Sequence, residues 1–217
     1  MGRLIYLMNV SLDGFVETAD HGLGWTRIDD ELHAWFNEQT RLTDAMLYGR
    51  RLYEVMAAYW PFAADDPNAS PVELEFAREW NATPRFVFSH TLRGVEWNST
   101  LVHDPVEEAL VAIRAEFPGE LAVAGPTLAS EFIRRDLVDE YRMVIHPAVL
   151  GAGTPYFPEL AEPLDLELVD TRRFESGVVY VGYRRRRGGS GPIRPWCCAA
   201  PDSDPRPRSR RGQVAGS

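Results

Sequence analysis

The sequence predicts a single α/β domain with a largely parallel central sheet, helices on its faces and an antiparallel edge. Three observations predict it. Short apolar runs alternate with amphipathic stretches along most of the chain, the order that builds a parallel sheet from strand–helix–strand units. The two closing runs, in "LDLELVDTRRFESGVVYVGYR", are joined around Glu175-Ser176-Gly177, which reads as an antiparallel edge pair. The chain has 217 residues and is 45% hydrophobic, enough for one well-buried core.

Each element has its local reason. "RLIYLMNVSLDGFV" is apolar enough for a buried first strand, ending at the Asp13-Gly14 turn signal. A loop through "ETADHGLGWTRI" follows, and Asp29 then caps a helix "DELHAWFNEQTRL" with Leu32, Trp35, Phe36 and Leu42 at helical spacing. "DAMLYG" is a strand, and "RRLYEVMAAYW" a helix stopped by Pro61. "FAADDPNASP" reads as a loop and "VELEFAREWN" as a helix anchored by Leu74 and Phe76. "PRFVFSH" is a strand, and "DPVEEALVAIRAEF" a helix with Asp104 as cap and Pro105 in its first turn. "ELAVAG" is a strand, "TLASEFIRRDLV" a helix, and "DEYRMVIHPAVLG" a long strand interrupted at Pro147. The domain spans residues 1 to about 187.

Composition excludes several functions. No run of 18 apolar residues exists, so no membrane span is expected, and the N-terminus reads as a strand and not a signal peptide. The cytoplasm is the expected compartment, and the sequons at Asn68, Asn81 and Asn98 then carry little weight. Cys197 and Cys198 are adjacent and near the end, so no disulfide framework is expected. Every basic residue is arginine. Up to Tyr183 there are 14 Arg against 30 acidic residues, and from Arg184 onward 9 Arg against 2 Asp. An acidic body argues against nucleic-acid binding. The segment 188–217, rich in Gly, Pro, Ser and Arg, lacks the apolar surface to offset its ordering entropy and is expected to be disordered.

The five histidines show no pair at metal-ligand helical spacing, and no metal site is expected. Neither a G-x-S-x-G elbow nor a Walker-type loop is present. Gly151-Ala152-Gly153 lacks the third glycine of a dinucleotide fingerprint, and Pro155 and Pro158 forbid the helix that should follow. What remains is a set of strand ends, where open α/β sheets bind ligands. Gly49 ends one strand, with Arg50 and Arg51 opening the next helix, a place for phosphate. Ser89, His90 and Thr91 end another, with short groups suited to phosphate or ribose. Gly125 and Pro126 precede a helix start where the N–H groups of Thr127 and Leu128 face outward. Each alone also fits a structural turn; three along one sheet point to a dinucleotide site.

Three segments in this order resemble the dihydrofolate reductase-like fold, and within it the C-terminal reductase domain of bifunctional riboflavin-biosynthesis proteins: "VSLDGFV", "DAMLYGRRLYEVM" and "VAGPTLASEFIRRDLVDEYRMVIHPAVLGAG". The resemblance covers residues 1 to about 186. It implies a three-layer fold that binds NADPH at the turn after the second strand and at the Gly125 turn. It further implies that Ser89 and the two arginines meet the adenosine 2′-phosphate. Many relatives carry Gly-Gly where this chain has Ala124-Gly125, and Pro126 removes one N–H donor.

The implied reaction is hydride transfer from NADPH to a pterin- or pyrimidine-like heterocycle or ribosyl-heterocycle, resembling reduction of 5-amino-6-(5-phosphoribosylamino)uracil. A half-buried carboxyl beside the pocket would supply a proton, with Asp30 the first candidate by position and Asp13 the second. Asp30 also fits a first-turn helix residue beside its capping neighbour, and Asp13 an ordinary turn. Asn9 and Trp25 are candidate substrate contacts that fit core packing equally. Edge strands at the C-terminus suggest a homodimer. Two other readings stay open: a nucleotide- or flavin-binding module without turnover, and a scaffold whose arginine tail binds RNA or membrane.

Overall fold

The continuous apolar run after Gly2 forms a central strand, β1 (Arg3–Ser11), with Leu4, Ile5, Tyr6 and Val10 buried. The structure, a computed structural model, describes residues 2–187; the expectation for segment 188–217 lies outside them. After the Asp13-Gly14 turn comes the short β2 (Phe15–Glu17), followed by α1 (Asp30–Arg41), which begins where Asp29 accepts a hydrogen bond from the Leu32 N–H. Next come β3 (Thr43–Gly49) and α2 (Arg50–Ala57). A 3-10 helix over Trp60–Asp65 leads to α3 (Pro71–Ala82), which carries a capping box between Ser70 and Glu73. The chain continues through β4 (Arg85–Phe88), β5 (Ser99–Val102), α4 (Val106–Glu116), β6 (Glu120–Ala124) and α5 (Pro126–Arg134). It ends in β7 (Glu140–His146), β8 (Thr154–Pro155), β9 (Leu166–Arg173) and β10 (Val179–Arg185).

Eight strands make one sheet in the order β5-β4-β3-β6-β1-β7-β10-β9, and β2 pairs with β8 separately. The first six run parallel, and β10 and β9 close the edge antiparallel. Alternation along β3 shows why both faces are covered. Ala45 and Leu47 pack in the cluster that contains α4 and α5, whereas Met46 and Tyr48 pack with residues of α2 and α3. On that second side α1 lays Leu32 and Trp35 against Val144 and Tyr180. Each fully buried large side chain, such as Trp80 or Phe132, contributes roughly 1.5–3 kcal/mol of transfer free energy. No helix among the described residues is long and apolar enough to cross a membrane.

Several local expectations are corrected. Helix α2 ends at Ala57, before Pro61, and Pro61 sits in the first turn of the 3-10 helix, where its missing N–H costs nothing. The segment expected as a loop is therefore partly helical. Ala77 and Trp80 anchor α3, with Leu74 and Phe76 only half-buried. Pro105, not Asp104, is the N-cap of α4, and no side chain caps that helix. Strand β5 was not expected: four residues are too few to show a period.

Candidate functional site

Parallel strands all end on one side of the sheet, and there a cleft of about 800 Å³ opens. Its walls contain all ten residues expected to bind cofactor: Gly49, Arg50, Arg51, Ser89, His90, Thr91, Gly125, Pro126, Thr127 and Leu128. Met8, Val16, Leu23, Leu52 and Val55 add apolar surface. A fourth segment joins them, Val102 and Asp104–Val106, where β5 runs into α4.

Among the described residues, capping sorts the α-helices by whether they face this cleft. Away from it, α1 and α3 are capped by the side chains of Asp29 and Ser70. At the cleft, α2, α4 and α5 begin at Gly49, Pro105 and Gly125 with no side-chain cap. Their first N–H groups therefore keep their hydrogen-bonding capacity, and each helix presents the positive end of its dipole to the same space. Pro126 removes one donor from α5 and leaves Thr127 and Leu128 in its first turn. The two glycines are not equivalent. Gly125 has φ +90°, a conformation that side chains disfavour. Gly49 has φ −78°, and a Cβ there would meet Leu128 at an ordinary 3.5 Å.

The expected pair of phosphate-binding arginines divides between two tasks. Arg50 reaches Thr91 Oγ1 at 3.1 Å and lies 3.4 Å from Glu54, half exposed. Ser89 Oγ accepts from the Thr91 and Leu92 N–H groups at 3.2 and 3.1 Å, which fixes the turn after β4. Arg51 instead donates through Nη2 to both oxygens of Glu17. Its guanidinium is thus paired within the protein, at the wall of the cleft.

The expected substrate-side residues lie outside the residues lining this cleft. Asp30 is exposed in the first turn of α1. Asp13 accepts from Ser11 Oγ at 2.7 Å and from the N–H groups of Gly151 and Leu150 at 2.7 and 3.1 Å. The Ser11 hydroxyl first, then those amides, outweigh desolvation and hold its carboxyl down at about 2. Both are exposed, where the sequence suggested a half-buried carboxyl. Asn9 accepts through Oδ1 from His146 Nε2 at 2.8 Å. Since His146 Nδ1 accepts from the Arg27 N–H at 2.9 Å, its proton sits on Nε2. Burial first, and then the Arg27 charge, push this imidazole down to about 4, so it is neutral. Trp25 packs edge-on against it, ring centres 5.5 Å apart, and donates through Nε1 to the Gly22 carbonyl at 3.2 Å. Asn9 and Trp25 thus hold the loop that carries His21 and Leu23 into the cleft.

The RibD C-terminal domain profile matches residues 3–180. This chain belongs to that family. The uncharacterized Bacillus subtilis protein YyaP is 32% identical over 183 residues, 83% of this chain and 94% of its own. Among solved structures, Acinetobacter baumannii RibD superposes with a TM-score of 0.60 at 15% identity, over 86% of this chain and 58% of that one. An Enterococcus faecalis dihydrofolate reductase complexed with NADP(H) superposes with a TM-score of 0.59 at 17% identity, over 85% and 97%. The fold is dihydrofolate reductase-like, and family and fold are of the reductase type.

In this RibD C-terminal domain the sequence reading missed Glu17. It lines the cleft, is 6% exposed, and accepts from Thr154 Oγ1 at 2.5 Å and pairs with His21 Nδ1 at 2.9 Å besides Arg51. Burial alone would raise its carboxyl; the hydrogen bonds of Thr154, Arg51 and His21 outweigh that and hold it below its ordinary value. Gly153 belongs to the same arrangement, because a Cβ there would fall 2.0 Å from the Glu17 carbonyl oxygen. Thus Gly151 donates to Asp13 and Gly153 gives way to Glu17, so the later glycine turn fastens the β1–β2 segment. No local pattern signals this, since Thr154 is 137 residues from Glu17. Among the described residues no three His, Cys, Asp or Glu side chains converge as a metal site.

Proposed function

We propose that this RibD C-terminal domain is an NADPH-dependent reductase that delivers hydride to a C=N or C=O carbon of a pterin- or pyrimidine-like heterocycle. One observation carries the reading: three α-helix N-termini without a side-chain cap, the only such α-helices among the described residues, open into one apolar-walled cleft. That is a receptor for an elongated polyanion with a flat, partly apolar end.

NADPH, when bound, supplies the hydride. The protein's share is placement. The N–H groups opening α2 and α5 hold the diphosphate, and Gly125 lets backbone approach it. Arg50, Ser89 and Thr91 take the adenosine end. Met8, Val16 and Leu23 exclude water from the reacting end. Glu17 is ionised at neutral pH and keeps Arg51 and His21 in position; proton delivery falls to solvent at the cleft mouth and not to Asp30 or Asp13. The working unit is taken to be a homodimer in the cytoplasm, formed through the outer strand β9, whose Leu168 is 53% exposed.

The test is thermal denaturation with NADPH, NADH, FMN and folates, followed by NADPH oxidation against pterins and pyrimidines. NADPH should raise the melting temperature and be consumed with at least one heterocycle. No shift with any nucleotide overturns the reading. The nucleotide-binding module without turnover draws support from Glu17, the buried carboxylate of the cleft wall, which its hydrogen bonds keep ionised; it predicts a shift without oxidation of NADPH.

A further inference from the structure

The cleft runs across the sheet, with Val102 of β5 and Phe88 of β4 toward one end and Met8 of β1 toward the other. With the adenosine placed by β4, the β1 end is left for the hydride acceptor. That end is walled by Met8, Val16 and Leu23 and by the linked side chains of Glu17, His21 and Arg51. The helix starts that favour anions follow β3, β5 and β6, whereas β1 runs on into a turn and β2.

Three arginines line the cleft, and each has a carboxylate partner. Arg50 lies 3.4 Å from Glu54, and Arg135 lies 2.6 Å from Glu131 and 2.5 Å from Glu107. Arg51 is paired with Glu17, and His21 shares that carboxylate. Three carboxylates line the walls as well, Glu17, Asp104 and Glu131, and the sequence contains no lysine. At the β1 end Glu17 decides the sign. Burial would raise its carboxyl, but the hydrogen bonds of Thr154, Arg51 and His21 outweigh that and keep it ionised, so it cancels Arg51. A phosphate carried by the acceptor would meet no unpaired arginine there. It would also sit near a buried carboxylate and the phosphates of the cofactor. Like charges brought together in a partly desolvated cleft exclude a ligand strongly.

We infer that the hydride acceptor is an uncharged, unphosphorylated heterocycle, and that Glu17 sets this choice by neutralising Arg51 and keeping phosphate out of the β1 end of the cleft. The inference rests on the NADPH reading and narrows it. A pterin or an aminouracil riboside is accepted, and the 5′-phosphate of the same riboside is rejected. Glu17 acts here on specificity and takes no part in moving the hydride.

Calorimetric titration of the NADPH-loaded full chain with dihydropterin, 5-amino-6-ribosylaminouracil and the 5′-phosphate of that riboside tests this. The riboside should bind at least about tenfold more tightly than its phosphate. Glu17→Gln frees Arg51 and should erase or reverse that preference. Arg51→Gln removes the cation, leaves the carboxylate and should widen it. A loss of packing moves riboside and phosphate together, so only the charge changes their ratio. The wild-type ratio tests the inference even if a variant fails to fold. A phosphate bound as tightly as its riboside, or a ratio that neither substitution moves, overturns the inference and leaves the cofactor reading standing. Binding of NADPH with none of the three ligands overturns the acceptor class alone. Failure of NADPH itself to bind overturns the cofactor reading and the inference with it.

Discussion

At Gly125 the backbone itself carries the argument. Its φ of +90° costs any side chain, so Gly125→Ala should destabilise the fold by about 1–2 kcal/mol and weaken NADPH. Gly49→Ala places its methyl in ordinary contact with Leu128 and should do far less. Urea unfolding beside NADPH titration separates the two, and equal costs would contradict the account. His146 makes a prediction in pH. Its folded pKa is about 4 against an ordinary 6.5, so the unfolded chain binds the proton more readily. Stability should therefore decline as pH falls from about 6.5 toward 4, and His146→Asn should remove much of that slope. Denaturant midpoints between pH 7 and 4 measure it; a wild-type profile flat to pH 4.5 would contradict a neutral buried imidazole. Such residues show what was legible. Gly125 was marked by its place between a strand and a helix. The tautomer of His146 is set by Asn9 and the Arg27 amide, 137 and 119 residues away, and no local pattern carries that.

Elements with strong local signals formed as the sequence implied. Asp29 caps α1, and β3, β6 and β7 follow their apolar runs. Failures came where the signal is short or non-local. Strand β5 is only Ser99–Val102 and follows Trp97 and Asn98 at positive φ, yet it brings α4 to the cleft. The acid predicted at Asp30 followed from position alone, and the helix turns it to solvent. Asp30→Asn should accordingly keep turnover within about twofold and cost under about 1 kcal/mol of stability. A loss in turnover of the ~10²-fold expected of a general acid would restore Asp30 to the chemistry. Between elements, the Glu17–Arg51 pair ties β2 to the start of α2. Arg51→Ala leaves a buried carboxylate with Thr154 and His21 alone. The expected loss lies between the ~1 kcal/mol of an exposed pair and the ~3 kcal/mol of a buried one, because Arg51 is half exposed. Glu17→Gln should recover part of it in a double-mutant cycle; strictly additive losses would show that the pair contributes nothing.

Over the whole molecule, one geometric fact turns local structure into a site. Parallel strands β3, β4, β5 and β6 end on the same side, so the helices that follow three of them start around one volume. The strand order β5-β4-β3-β6-β1-β7 depends on crossovers that local periodicity does not specify. The cofactor segments that the resemblance implied meet in one cleft, whereas the two candidate acids lie outside the residues lining it. The proposed cofactor contacts rest on backbone at helix starts, which topology fixes, whereas a proton donor is one side chain whose surroundings vary. The central claim is therefore that these helix starts hold NADPH. A titration of the ¹⁵N-labelled protein with NADPH, followed through backbone amide shifts, tests it most directly. The account predicts the largest shifts at Arg50–Leu52, Ser89–Thr91 and Gly125–Leu128, with the capped starts of α1 and α3 unmoved. Saturable binding with shifts clustered elsewhere, or no shifts at millimolar NADPH, would contradict it.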